Sequence, residues 1–338
     1  MDMIFERAAP LAANVQPFNA YAGGLPERLS GRKLWIQNTT TVNRDDMLRK
    51  AWVRGLRFFW VAHNMKCILI SLESQPARRE RVEANFRAID HAGWEMTYLK
   101  AVDAEQVAKS AVQGRLAPAE KGCFLSHLVA MQSTRESTEP ILLVEDDVLF
   151  GARSFSAIDA ALQSAAHTEW DILFTDVCVP SVHAMVNLYW LRRQLTVANE
   201  TKLVPLSSVP FAGSTAYLVN GKSKDKLIGL LTENAALDVP YDLTLRRLVQ
   251  QSRLTGFVIF PFPTTLSSLA DVSQIQRNQA TKVADMAWNA FRRLVWAERS
   301  VEDATANLDR ISDDFFDPEC KAFTRILSCM LSSNFQPK

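Results

Sequence analysis

An α/β fold on a mostly parallel sheet flanked by helices is predicted by three observations on this sequence. Short apolar runs of strand length recur from Met65 onward, between segments with helical periodicity. The first of them, MKCILISL, is almost wholly apolar, as a buried strand is. Pro76, Gly93 and Pro240 stand where helices would start or stop.

Taken in order, residues 1–64 read as an added N-terminal element with Pro- and Gly-containing turns. Within it, Met47 to Val61 mixes basic residues with two Trp and two Phe. That composition fits a surface helix packed on the domain, and it also fits peripheral membrane contact. From Met65 the first strand leads through Pro76 into a helix with Val82, Phe86 and Ile89 at helical spacing, stopped by Gly93. MTYLKAV is a strand ending near Asp103, and a helix is expected around Cys123 to Gln132. ILLVEDD, WDILFTDV and STAYLVN supply further strands. Pro240 opens the helix YDLTLRRLVQQS, and GFVIFPFP closes the sheet. Beyond Asp271 the pattern is helical, with Val283, Met286, Ala287, Ala290, Phe291 and Leu294 on one stripe suited to packing on the sheet or on another subunit. The division expected is therefore 1–64, 65–271 and 272–338.

A chain of 338 residues, 48% hydrophobic and 22% charged, is long enough to bury a substantial core. With 38 basic and 37 acidic residues and a net charge of +1, it has no global field to recruit nucleic acid or an anionic surface. Its five cysteines show no CxxC spacing, which argues against a disulfide framework and against a zinc site, and a reducing compartment follows. No apolar run approaches the roughly 18 residues of a membrane span. The start lacks the features of a secretory signal. The expectation is a cytoplasmic protein, with 47–61 the one candidate for contact with the inner face of a membrane.

The strongest chemical signal is ILLVEDDVLF, an apolar strand that ends on Glu145, Asp146 and Asp147. Three adjacent carboxylates repel one another unless cations neutralise them, and hard oxygen donors favour magnesium or manganese. A solvated strand end capped by acids is the alternative. Arg78, Arg79 and Arg81 follow the first strand, where guanidinium groups and a helix start can hold a diphosphate, or form a plain basic face. Asp103 ends a strand, either as a nucleoside contact or as a turn residue. Asp242 falls in the first turn after Pro240, either as a general base or as an acid placed to suit the helix dipole. His127 follows Ser126 on a largely apolar helix, as a site residue or a satisfied core histidine. NGKS at 220–223 is not a phosphate loop, because Ala216 stands where that motif needs Gly.

Together these segments resemble glycosyltransferase family 25, in order from about Met65 to Pro263. ILISLESQPARRERVE is similar to the family's opening strand and Arg-containing turn, at Arg78. AVDA brings in Asp103. AEKGCFLSHLVAM resembles its Gly-Cys-x-x-Ser-His-Leu block, and VEDDV its Leu-Glu-Asp-Asp motif. WDIL, GSTAYLVN and PYDLTL resemble later blocks. Ser71, Glu73, Val144 and Tyr241 depart from the family's usual residues.

The resemblance implies a GT-A-like fold and an inverting transfer of a hexose, usually galactose from its uridine diphosphate form, to an oligosaccharide or lipid-linked glycan in lipopolysaccharide or lipooligosaccharide synthesis. It implies a divalent cation, manganese or magnesium, on Glu145, Asp146 and Asp147. Arg78, Asp103, Ser126, His127, Gly213 and Ser214 would then hold the donor. Asp242 is the first choice for the base, with Asp238 and Asp176 in reserve. The acceptor pocket would come from loops between Val177 and Pro210, where LYWLRRQL carries aromatics. A nucleotidyltransferase on a similar sheet and a non-catalytic carbohydrate-binding or scaffold protein are the rival classes.

Overall fold

The computed structural model describes residues 65–91, 93–198, 200–271, 279–298 and 301–332, all within the unit Trp60–Lys338. The segment 47–61 lies outside the described residues. β1 (Met65–Ser71) leads into α1 (Pro76–Arg87), which has proline in its first turn, and β2 (Trp94–Lys100) follows. α2 (Ala104–Ala108) and α3 (Pro118–Ser133) then precede β3 (Ile141–Glu145) and β4 (Val148–Phe150). Next come α4 (Ser154–Ala165), β5 (Ile172–Phe174), α5 (Val182–Ala198), β6 (Lys202–Pro205) and β7 (Ala216–Val219). After α6 (Lys224–Thr232) and α7 (Tyr241–Gln250) come β8 (Gly256–Phe260) and β9 (Thr264–Leu266). Helices α8 (Gln279–Val295), α9 (Val301–Leu308) and α10 (Pro318–Leu331) complete the order.

Seven strands form one sheet in the order β2-β1-β3-β7-β5-β8-β6. β2, β1, β3, β5 and β8 run the same way, while β7 and β6 are reversed. The α/β class with a mostly parallel sheet holds. The strand STAYLVN is the antiparallel member inserted between β3 and β5.

Period-2 alternation divides the core between the two faces of this sheet. Ile68 and Ile70 of β1, Ile141 and Leu143 of β3, and Tyr217 and Val219 of β7 meet Phe124, Ala130 and Met131 of α3 with helices α5 to α7. Cys67 and Leu69, Leu142 and Val144, and Ala216 and Leu218 meet Val82 and Phe86 of α1 and Phe155 and Ile158 of α4. Apolar side chains on both faces explain why these strands read as continuous apolar runs.

The stretch expected to be acceptor loops is largely regular. Val182–Ala198 is the helix α5 and Lys202–Pro205 an edge strand. Leu188 and Leu195 face the core, while Trp190 is exposed with Arg193 stacked over it at 5.0 Å. β4 and β9 pair as a separate antiparallel ladder, Val148 opposite Leu266 and Phe150 opposite Thr264. Among the described residues no helix is long and apolar enough to cross a membrane.

Candidate active site

The same alternation aims the acids. Continuing β3, Glu145 falls on the face covered by α3, and Asp146 on the face covered by α1. The contacts agree. His127 Nε2 lies 3.2 Å from Glu145 Oε1, and Ser214 Oγ donates to that oxygen at 2.8 Å. On the other face Arg78 donates to Asp146 Oδ1 from Nε and Nη2, each at 2.7 Å, and Ser71 Oγ donates to Oδ2 at 2.7 Å. Asp147, in the turn, has Oδ2 3.8 Å from Arg78 Nη2, and its backbone carbonyl accepts Ser267 N–H at 2.8 Å.

All three acids line a cavity of about 440 Å³, with Ser71, Arg78, Val102, Cys123, Ser126, His127 and Leu269 among its other walls. It opens beyond the carboxyl ends of β1 and β3, where ligands bind on parallel sheets.

Asp147 Oδ1 is buried with no hydrogen-bond partner. Such an oxygen costs about 1–3 kcal/mol or more while it stays unpaired. Burial, reinforced by the charges of Glu145 and Asp146 and opposed by Arg78, pushes its carboxyl up to about 7. Glu145 goes the other way. Burial raises it, but the hydrogen bonds from His127 and Ser214 and the charge of Arg292 outweigh that and hold it below the usual carboxylate range. An ionised Glu145 beside the unpartnered Asp147 oxygen offers hard donors, and an oxygen-liganded divalent ion fits there.

The remaining candidates fall into distinct places. Ser126 Oγ donates to Gly122 O at 2.6 Å and accepts Val102 N–H at 2.8 Å, so it pins the loop before α2 to α3. A Cβ on Gly122 would overlap the Val102 carbonyl oxygen, which is why α3 has glycine at that crossing. Asp103 caps α2, its Oδ1 accepting Gln106 N–H at 2.7 Å while Gln106 Oε1 accepts the Asp103 N–H in return. Gly213, at φ +90, donates its N–H to Asp242 Oδ2 at 2.8 Å. Asp242 is half-buried and near enough to Cys123, on the cavity wall, to influence its thiol.

The two reserve bases lie elsewhere. Asp238 accepts Arg115 N–H at 2.8 Å and lines a different cavity of about 750 Å³ with Arg247 and Leu248. Asp176 is fully buried and ion-paired with Arg292, which removes it from contact with an acceptor hydroxyl.

Two groups of residues were not foreseen. Arg292, on α8, donates from Nε to Asp176 Oδ2 at 2.9 Å and from Nη2 to Thr215 Oγ1 at 3.0 Å, beneath the Gly213–Thr215 segment. Its neighbour Arg293 donates to Ser267 O and to Asp271 Oδ1, each at 3.0 Å, and so fixes both ends of the turn carrying Leu269 and Ala270. Two adjacent arginines in an otherwise apolar stripe were the available signal. The second group is Tyr217 and Tyr241. Tyr217 OH lies 2.9 Å from His127 Nδ1 and 2.7 Å from Tyr241 OH, and the Tyr241 ring stacks on His127 at 4.3 Å.

Fold and site together define an α/β protein with three carboxylates and an arginine around a cavity at the carboxyl ends of its strands. The family model of glycosyltransferase family 25 (LPS biosynthesis protein) matches residues 64–245, more than half of the chain, and the chain belongs to that family. No curated protein sequence matches. Among solved structures, the apo form of mouse xyloside xylosyltransferase 1 is similar at a TM-score of 0.28 with 14% identity, over 58% of this chain and 65% of that one, less than two thirds of its length.

Proposed function

We propose that this chain transfers a hexose, galactose in the first instance, from a uridine diphosphate sugar to a glycan or lipid-linked acceptor of lipopolysaccharide synthesis, with inversion at the anomeric carbon. The observation that carries this is the bare, buried Asp147 oxygen at a cavity lined by three carboxylates and Arg78.

Asp147 and Glu145 would hold a divalent cation, manganese or magnesium, which neutralises charge on a departing diphosphate. Arg78, locked by Asp146, presents a fixed guanidinium at the cavity for phosphate oxygens. Ser71 and Ser214 hold the flanking acids in place. Val102 and Ala104, on either side of Asp103, line the cavity and would border the nucleoside. Asp242 is the base. The Gly213 N–H fixes its Oδ2, and Oδ1 takes the acceptor's hydroxyl proton as that oxygen bonds to the anomeric carbon and the bond to diphosphate breaks.

The test is product analysis by mass spectrometry with a panel of uridine diphosphate sugars and lipid-linked oligosaccharides. Release of uridine diphosphate with a mass gain of one hexose on the acceptor supports the reading. Synthesis of the sugar nucleotide, or donor binding without turnover, supports a rival class.

A further inference from the structure

The α3 wall of the cavity carries a second set of donors. Cys123 and His127 stand four residues apart, one turn of the helix, and so face the same way. β3 delivers Glu145 against them. Cys123 Sγ, a His127 ring nitrogen and a Glu145 carboxylate oxygen all lie within 4.8 Å of one another. His127 Nε2 and Glu145 Oε1 are 3.2 Å apart. Ligand atoms on a tetrahedral zinc ion, at bond lengths of about 2.0–2.3 Å, stand roughly 3.3–3.8 Å from each other.

We propose that Cys123, His127 and Glu145 form a zinc site whose fourth position opens into the 440 Å³ cavity. A thiolate, an imidazole and one carboxylate are a donor set for zinc and not for magnesium, which takes oxygen. The thiolate and carboxylate balance the ion's two charges, and the thiol proton passes to solvent on binding.

The surroundings of His127 support the same assignment. A ligating histidine binds through one nitrogen while the other N–H needs an acceptor. Without an ion, Nε2–H donates to Glu145 and Nδ1 accepts from Tyr217 OH. With Nε2 on zinc, Nδ1–H donates to the Tyr217 oxygen, whose own proton turns to Tyr241 OH. Because a hydroxyl both donates and accepts, Tyr217 can partner either tautomer of His127. Tyr241 stacked on the imidazole, with an interplanar angle of 3°, fixes the ring plane.

One consequence rests on the transfer reading. Glu145 belongs to both donor sets, so zinc bound here takes a carboxylate from the oxygen-liganded cation and inhibits transfer in competition with manganese.

Cobalt(II) absorption tests the site itself. The full chain is used with the exposed Cys320 and Cys329 changed to serine, so that neither contributes a thiolate. One equivalent of cobalt is expected to give thiolate charge-transfer absorption, abolished by one equivalent of zinc. Cys123→Ser in that background should eliminate the band and weaken zinc binding by more than the ~10- to 100-fold that loss of an outer partner costs. Tyr217→Phe should fall within that smaller range. No thiolate band, or a band that survives Cys123→Ser, overturns the proposal. Manganese binding, followed by its paramagnetic resonance signal, reports separately on the transfer reading. A cobalt band without manganese binding would leave the zinc site standing and sink the other.

Discussion

Arg292→Met probes whether the C-terminal helix α8 is part of the site's foundation. The substitution keeps most of the aliphatic volume and deletes the guanidinium. Asp176 is 0% exposed and its Oδ1 has no partner, so Oδ2 would lose the donors that the structure gives it, while Thr215 Oγ1 would lose its own. Removing one partner of a buried ion pair costs about 3–5 kcal/mol, because the charge left behind is uncompensated. Burial already raises the Asp176 carboxyl above its usual value, against the opposing pull of Arg292.

A raised folded-state value means that the native state holds the proton more tightly than the unfolded chain. Stability therefore falls as pH rises from the unfolded value, about 3.9, toward the folded one. Without Arg292 the folded value climbs further and that window widens. Urea unfolding followed by tryptophan fluorescence should show a larger loss at about pH 8 than at about pH 5, with equal slopes against denaturant. Adding Asp176→Asn to Arg292→Met should recover most of the loss. A cost below about 1 kcal/mol that does not change with pH would mean that Arg292 does not compensate a buried Asp176 charge.

Two further predictions concern catalysis and packing. Asp242→Asn should lower kcat by about 10²- to 10⁴-fold while donor binding, measured by calorimetry, is retained, because only base assistance is lost. Gly122→Ala should destabilise the fold by about 1–3 kcal/mol in the same unfolding assay, since its Cβ meets backbone at Val102 with no flexible side chain to yield.

What the sequence disclosed was whatever is local. The Pro76 helix, the Pro240 helix and the strand running into Glu145 each carry their signal within a dozen residues, and each stands where expected. The two faces of β3 were implicit in ILLVE, because alternation sends Glu145 toward α3 and Asp146 toward α1. What escaped was non-local. Nothing near residues 264–266 announces that they pair with 148–150, and nothing near Arg292 announces a partner 116 residues away at Asp176. Helix α5 hid in a stretch with weak apolar contrast, where Leu188 and Leu195 pack inward and Trp190 faces out. The Cys123–His127 pair was readable in principle. The absence of CxxC spacing argued against zinc, but that pattern does not cover a cysteine and a histidine one helical turn apart.

The departures from the family pattern can also be placed. Ser71, where asparagine is usual, donates to Asp146, and Tyr241, where a small apolar residue is usual, closes the chain of hydrogen bonds to His127.

On the proposed function, the Asp147 carboxylate binds a cation that in turn holds the donor's diphosphate. Calorimetric titration of uridine diphosphate with and without manganese, on the unaltered chain and on Asp147→Asn, tests it most directly. The expected result is manganese-dependent binding that the single oxygen-to-nitrogen change abolishes. Equal binding by both proteins, or binding indifferent to manganese, would contradict it.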